Sequence, residues 1–163
     1  MAAPVKPGRI REYACSQVIY GTKGAAMTKV ILCATDGSEH SRVATAFAAQ
    51  LAKSNAAPLV FVTVNVAVGG PRGPLEYQRD EGQIKSILDD AVRTAKEVGV
   101  SDCNAVWVKS RDAAYAVVQQ AEQLEADHIV VGTGDRPVVS RLMLGSVSRE
   151  VAAKAHCSVT IAR

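Results

Sequence analysis

Aromatic residues are scarce: two Phe, four Tyr and one Trp make up 4% of the 163 residues. A core with so few rings has to be built from Val, Ala, Leu and Ile, as packed parallel sheets and their covering helices are. Metal-type cysteine spacing is missing too. Cys15, Cys33, Cys103 and Cys157 form no C-x-x-C pair, which excludes a disulfide framework or zinc site and points to a reducing, cytoplasmic compartment. No apolar run approaches the roughly 18 residues of a membrane span, and the first residues lack the apolar core of a secretory signal. The phosphate loop G-x-x-x-x-G-K-[ST] is absent. A basic nucleic-acid face is absent as well. The net charge of +3 is carried by residues 1–26, where Lys6, Arg9, Arg11 and Lys23 face only Glu12, so the remaining chain is neutral. Clustered Lys and Arg would be the mark of a nucleic-acid partner.

What is present is alternation of short apolar runs and amphipathic stretches. Residues 1–26 hold Pro4, Pro7, Gly8, Gly21 and Gly24 with little periodicity, and are expected to be a poorly ordered extension. A start at Met27 is the simplest reading of this segment, and a basic targeting arm is its functional alternative. Residues 27–163 form one domain. Lys29–Ala34 reads as a buried strand and Thr35–Ser38 as a turn. Glu39–Ser54 reads as a helix capped by Ser38, with Val43, Ala44, Phe47, Ala48 and Leu51 inward. Leu59–Val66 is a second strand, followed by a Gly- and Pro-rich loop. A helix is expected from about Leu75 to Val98, with Ile84, Ile87, Leu88, Ala91, Ala95 and Val98 as its stripe and Gly99 ending it. Asn104–Val108, His128–Val131 and Ser158–Ala162 are the remaining strands. Asp112–Glu125 and the stretch from Gly145 to Ala155 are the remaining helices.

Five strands alternating with four helices predict an α/β fold, a five-stranded parallel sheet with helices on both faces. Right-handed crossovers give the spatial order 3-2-1-4-5. The first and fourth strands then lie side by side where the order reverses, and a crevice opens outside their carboxyl ends. Asp36 follows one of these strands and Gly132 the other. The stretch Gly132-Thr133-Gly134-Asp135-Arg136, running on to Gly145-Ser146-Val147-Ser148, combines glycines that allow close backbone approach with a helix start that offers unpaired N–H groups to a phosphate. The same glycines would also serve any strand-to-helix turn.

Three blocks carry a family resemblance: Lys29–Ala34 with Asp36-Gly37-Ser38; Ile129-Val130-Val131-Gly132-Thr133; and Leu142-Met143-Leu144-Gly145-Ser146-Val147-Ser148 with Ala155-His156-Cys157-Ser158-Val159. From Lys29 to Arg163 the chain resembles the universal stress protein family. The resemblance implies a Rossmann-like, adenine-nucleotide-hydrolase-type fold, a stress-response sensor or regulator, and ATP or a related adenine nucleotide as ligand, with Mg²⁺ as its candidate companion. By the family's pattern, nucleotide contacts fall at Asp36 (ribose or metal), the backbone of Val64 (adenine), Gly132 (ribose), and Gly145, Ser146, Val147 and Ser148 (phosphates), with Ala34, Gly134 and Arg136 as further expected nucleotide-binding residues. No catalytic residue and no resident metal ligand is assigned. ATP-binding members carry Gly, two residues, Gly, nine residues, then Gly-Ser. Here the second glycine is replaced by Asp135, with Gly134 one position early. Two like charges about 4 Å apart repel by roughly 4 kcal/mol at an effective dielectric of 20. Three outcomes stay open: Arg136 or Arg141 offsets Asp135, Asp135 holds a metal, or Asp135 points outward while Gly134 makes the close approach.

The alternative function is a dimeric interaction protein of the same fold with a vestigial pocket, whose nucleotide affinity Asp135→Gly would raise. The family implies a homodimer through the C-terminal strand, Val159 to Ala162. An edge strand there invites pairing, and proline at position 160 is the natural probe. His40, His128 and His156 show no ligand spacing, and no nucleophile, base and acid form a set, so at most slow ATP hydrolysis is expected. A phosphoacceptor receiver is excluded because Val108-Lys109-Ser110 offers no aspartate at the end of the third strand. Protein clients are not legible.

Overall fold

The computed structural model describes residues 11–13, 30–69, 74–134 and 145–163. Within them run β1 (Arg11–Tyr13), β2 (Ile31–Ala34), α1 (Glu39–Asn55), β3 (Leu59–Val68), β4 (Glu76–Tyr77), α2 (Glu81–Val98), β5 (Cys103–Ser110), α3 (Ala113–Gln123), β6 (His128–Gly132), α4 (Ser146–Lys154) and β7 (Ser158–Ala162). The sheet order is β1-β5-β3-β2-β6-β7. Its five main strands are parallel and follow the 3-2-1-4-5 arrangement. Ile31 of β2 stands opposite Leu59 of β3 on one side and His128 of β6 on the other.

The expectation of a wholly parallel sheet is corrected at two points. β1 adds antiparallel to the outer edge of β5, with Glu12 opposite Val106. β4 folds back antiparallel on the end of β3, with Ala67 opposite Tyr77. The sheet is therefore mixed.

The same hairpin corrects the start of the second helix. Residues expected to be helical from Leu75 instead pair with β3, and α2 begins at Glu81. The Asn65 side chain clamps the turn: its amide donates to the Arg79 carbonyl at 2.8 Å and its oxygen accepts the Arg79 N–H at 3.1 Å. Asp80 then accepts from Gln83 N–H while the Gln83 side chain accepts from Asp80 N–H. This reciprocal capping box satisfies two orphan donors and sets where the helix starts. The α2 C-terminus is as expected, with Gly99 in the left-handed region at φ 99°.

Side-chain alternation along the strands divides the core in two. Ile31, Cys33, Leu59, Phe61, Trp107 and Val130 face α1 and α2. Leu32, Val60, Val62, Val106, Ile129 and Val131 face α3 and α4. The inward stripe of α1 differs from expectation. Ser41, Ala44, Thr45, Ala48, Ala49 and Ala52 are buried, whereas Val43 and Phe47 are each 40% exposed. The small residues let α1 lie close on β2 and β6. The larger Val43 and Phe47 fall on another flank, because at about 100° per residue they lie about 100° or more round the helix from Arg42 and Thr45, which line the cavity between α1 and α2. Ser38 caps α1 as expected, its hydroxyl accepting the Ser41 N–H at 3.2 Å.

Candidate functional site

The carboxyl ends of β2 and β6 meet at the reversal of strand order, and a cavity of about 320 Å³ opens there. Such a volume lies within the range of small-molecule sites. Nine of the ten expected contact residues line this one cavity: Ala34, Asp36, Val64, Gly132, Gly134, Gly145, Ser146, Val147 and Ser148. The tenth, Arg136, lies outside the described residues, as do Asp135 and Arg141.

Each wall has a local reason. The floor is apolar: Val62, Val64 and Val66 point the same way because they are two residues apart on β3, and Val117 of α3 and Val131 of β6 complete it. The rim is polar. Asp36 leaves β2 into the turn before α1, where its carboxylate accepts the Ser38 N–H at 3.0 Å. Burial opposes its charge, but hydrogen bonds from Ser38 and Ser41 and the nearby Arg79 guanidinium outweigh burial and hold the carboxyl below its ordinary value. Arg79 itself donates to the Asp36 carbonyl at 3.2 Å. Behind the rim, Thr63 donates to the Thr35 carbonyl at 2.8 Å, and the Thr35 hydroxyl donates to Ser41 at 3.3 Å. These bonds tie the end of β2 to β3 and to the first turn of α1.

The opposite wall is the start of α4. Its N-cap is Gly145, which carries no side chain to bond the first amides. Ser148 turns its hydroxyl back on the Gly145 carbonyl at 3.0 Å. The helix therefore presents backbone N–H groups and its positive dipole end to the cavity. Gly145 N–H donates to the Thr133 carbonyl at 2.8 Å, bringing the end of β6 against the start of α4. A Cβ on Gly145 would meet that same oxygen at 2.6 Å. Gly134 takes φ +83°, a conformation that L side chains rarely adopt.

Sequence reasoning missed Val62, Val66, Gln78, Arg79, Ala113 and Val117 as lining residues. Val62 and Val66 were open to inference, since they share the face of Val64. Arg79 had no local signal, because the Asn65 clamp delivers it from a distant turn. The histidines do not converge. His40 Nδ1 meets the Thr133 hydroxyl at 3.3 Å, His128 Nε2 meets the Thr160 hydroxyl at 2.9 Å, and exposed His156 faces Glu122 at 3.4 Å. Among the described residues no group of three His, Cys, Asp or Glu is disposed to hold a metal, and no helix is long and apolar enough to cross a membrane.

Known proteins resemble this chain in sequence and in fold. A universal stress protein of Thermus aquaticus is 35% identical over 141 residues, covering 84% of this chain and all of its own length. One from Methanocaldococcus jannaschii is 31% identical over 150 residues, covering 86% of this chain and 85% of the relative. A universal stress protein crystallised in complex with cAMP superposes with a TM-score of 0.68 at 30% identity, over 83% of this chain and 97% of that one. The universal stress protein family model matches residues 27–163, and the chain belongs to that family.

Proposed function

We propose that this chain binds ATP or a related adenine nucleotide in the cavity between β2 and β6, and acts as a homodimeric sensor or regulator in a stress response. The observation that carries the reading is convergence. Residues as far apart in sequence as Asp36, Val64, Gly132 and Ser146 wall one hollow, with an apolar floor at one end and an uncapped helix start at the other. That polarity suits a nucleotide. A purine gains from the valine floor, and phosphate oxygens gain from the α4 amides. In this reading the Val64 backbone meets the adenine edge, Asp36 and Gly132 the ribose, and Gly145 to Ser148 the phosphates. The structural relative bound to cAMP supports the adenine class. Mg²⁺ fits the reading without a dedicated protein cage, because it is usually held by one or two carboxylates together with substrate phosphates. Asp36 is the described carboxylate in the cavity wall. Binding, with at most slow hydrolysis, is the assigned activity.

Pairing through β7 is part of the same proposal. β7 ends the sheet, and Val159, Thr160 and Ile161 are only half-buried. Val43 and Phe47 add apolar surface on α1.

Equilibrium dialysis with ATP, AMP and cAMP, each with and without Mg²⁺, tests the reading. Saturable binding that is lost in Asp36→Ala is expected. No binding at millimolar nucleotide overturns it and leaves the family assignment intact.

A further inference from the structure

A second cavity, of about 960 Å³, lies on the opposite side of the sheet end, between α1 and α2. Arg42 contributes from α1, and Gln83, Ser86, Asp90 and Arg93 from α2. Asp36 and Arg79 form a partition that lines both cavities. The walls contain three arginines and two aspartates, and the pairing among them is uneven. Asp90 takes Arg93 Nη2 at 2.7 Å, so those charges offset each other. Asp36 is satisfied by the Ser38 N–H and lies in the field of Arg79. Arg42 has no side-chain hydrogen bond or ion pair among the described residues.

The hydrogen-bond inventory tilts the same way. Arg79 spends one N–H on the Asp36 carbonyl, at 3.2 Å, out of the five a guanidinium carries. The Gln83 side-chain oxygen is taken by Asp80 N–H, which leaves its NH₂ group to donate. Ser86 adds a hydroxyl. The cavity wall is thus rich in donors and carries one positive charge without a partner among the described residues.

We infer that this second cavity binds a compact polyanion of the phosphate class, with the Arg42 and Arg79 guanidiniums as its principal contacts. Guanidinium forks match phosphate oxygens bidentately, and such charge-assisted bonds are the stronger kind. The inference stands apart from the nucleotide reading. It invokes a different face of the sheet end, and Arg42 lines only the second cavity.

Isothermal titration of the full chain with inorganic pyrophosphate, at low ionic strength and without nucleotide, tests it. Saturable binding is expected, weakened about tenfold or more in Arg42→Gln and in Arg79→Gln and partly retained in Arg42→Lys. Ser146→Asp puts a carboxylate at the start of α4 and disables the anion end of the other cavity. It should leave pyrophosphate binding in place. Thermal melts of Arg42→Gln, a change at an exposed side chain, check that the fold survives. Absence of binding at millimolar pyrophosphate overturns the inference. So does binding abolished by Ser146→Asp but untouched by Arg42→Gln, which would put the anion at the nucleotide cavity instead.

Discussion

The carbonyl oxygen of His40 lies 2.7 Å from the point where a Cβ on Gly132 would stand. The first turn of α1 therefore rests directly on the end of β6. This contact brings the His40 ring to the Thr133 hydroxyl, 3.3 Å away, and holds the two loops of the cavity together. Gly132 thus has a packing role whether or not a ribose passes beside it.

Gly132→Ala should destabilise the protein by about 1–3 kcal/mol, because the added methyl meets backbone atoms that cannot rotate away. Thermal denaturation should show a melting temperature several degrees lower. An unchanged melting temperature would mean that α1 is not seated on β6 as described.

Asp36 should leave a mark on the acid side of the stability profile. Its carboxyl is held below the ordinary value of 3.8 in the folded chain. A group with a depressed folded pKa contributes stability that is fully present above its unfolded pKa and is lost as pH falls through the folded one. Urea unfolding of the native chain should therefore weaken as pH drops below about 4, and Asp36→Asn should flatten that fall while costing stability at neutral pH. Parallel pH profiles for the two proteins would refute the role given to Ser38, Ser41 and Arg79.

The cysteines should separate by reactivity. Burial pushes the Cys33 thiol up to about 12, and both Cys33 and Cys103 are buried. The thiolate is the reactive form. In the native protein at pH 8, a disulfide reagent should leave Cys33 and Cys103 unlabelled, and denaturation should expose both. Cys157, only partly covered, should react slowly, since burial raises its thiol as well. Peptide mass spectrometry reads each site.

The dimer test moves by one residue. Ser158 N–H donates to the Asp127 carbonyl at 3.2 Å, and the alternation of a parallel ladder then turns the N–H of Thr160 into the sheet as well. Proline at position 160 would break the protomer's own ladder. Val159 and Ile161 are the residues whose donors face outward, so Ile161→Pro is the cleaner probe. Light scattering should show a dimer for the native chain and a monomer for the variant, with circular dichroism unchanged. A dimer that survives Ile161→Pro would place the contact elsewhere.

Much of this architecture was legible from local pattern. Runs such as Ile129-Val130-Val131 between turn signals mark buried strands. Ser38 and Gly99 bound their helices where capping chemistry says they should. The handedness of crossovers is a property of L-amino acids rather than of any one contact, so it ordered the five parallel strands and set Asp36 beside Gly132. Position along a pattern, by contrast, did not reveal depth. Val43 and Phe47 have the hydrophobicity of core residues, yet the alanines beside them lie inward because a close helix-to-sheet approach favours the smaller side.

The order of elements, the sheet's reversal point and the chemical character of its two loops follow from neighbouring residues, since propensity, capping and chain chirality act over a few positions. The seating of α1 on Gly132, the delivery of Arg79 by Asn65, the antiparallel additions β1 and β4, and the direction of the β7 donors follow from the tertiary structure. Each depends on the register between segments far apart in the chain, and register is decided only when whole faces pack.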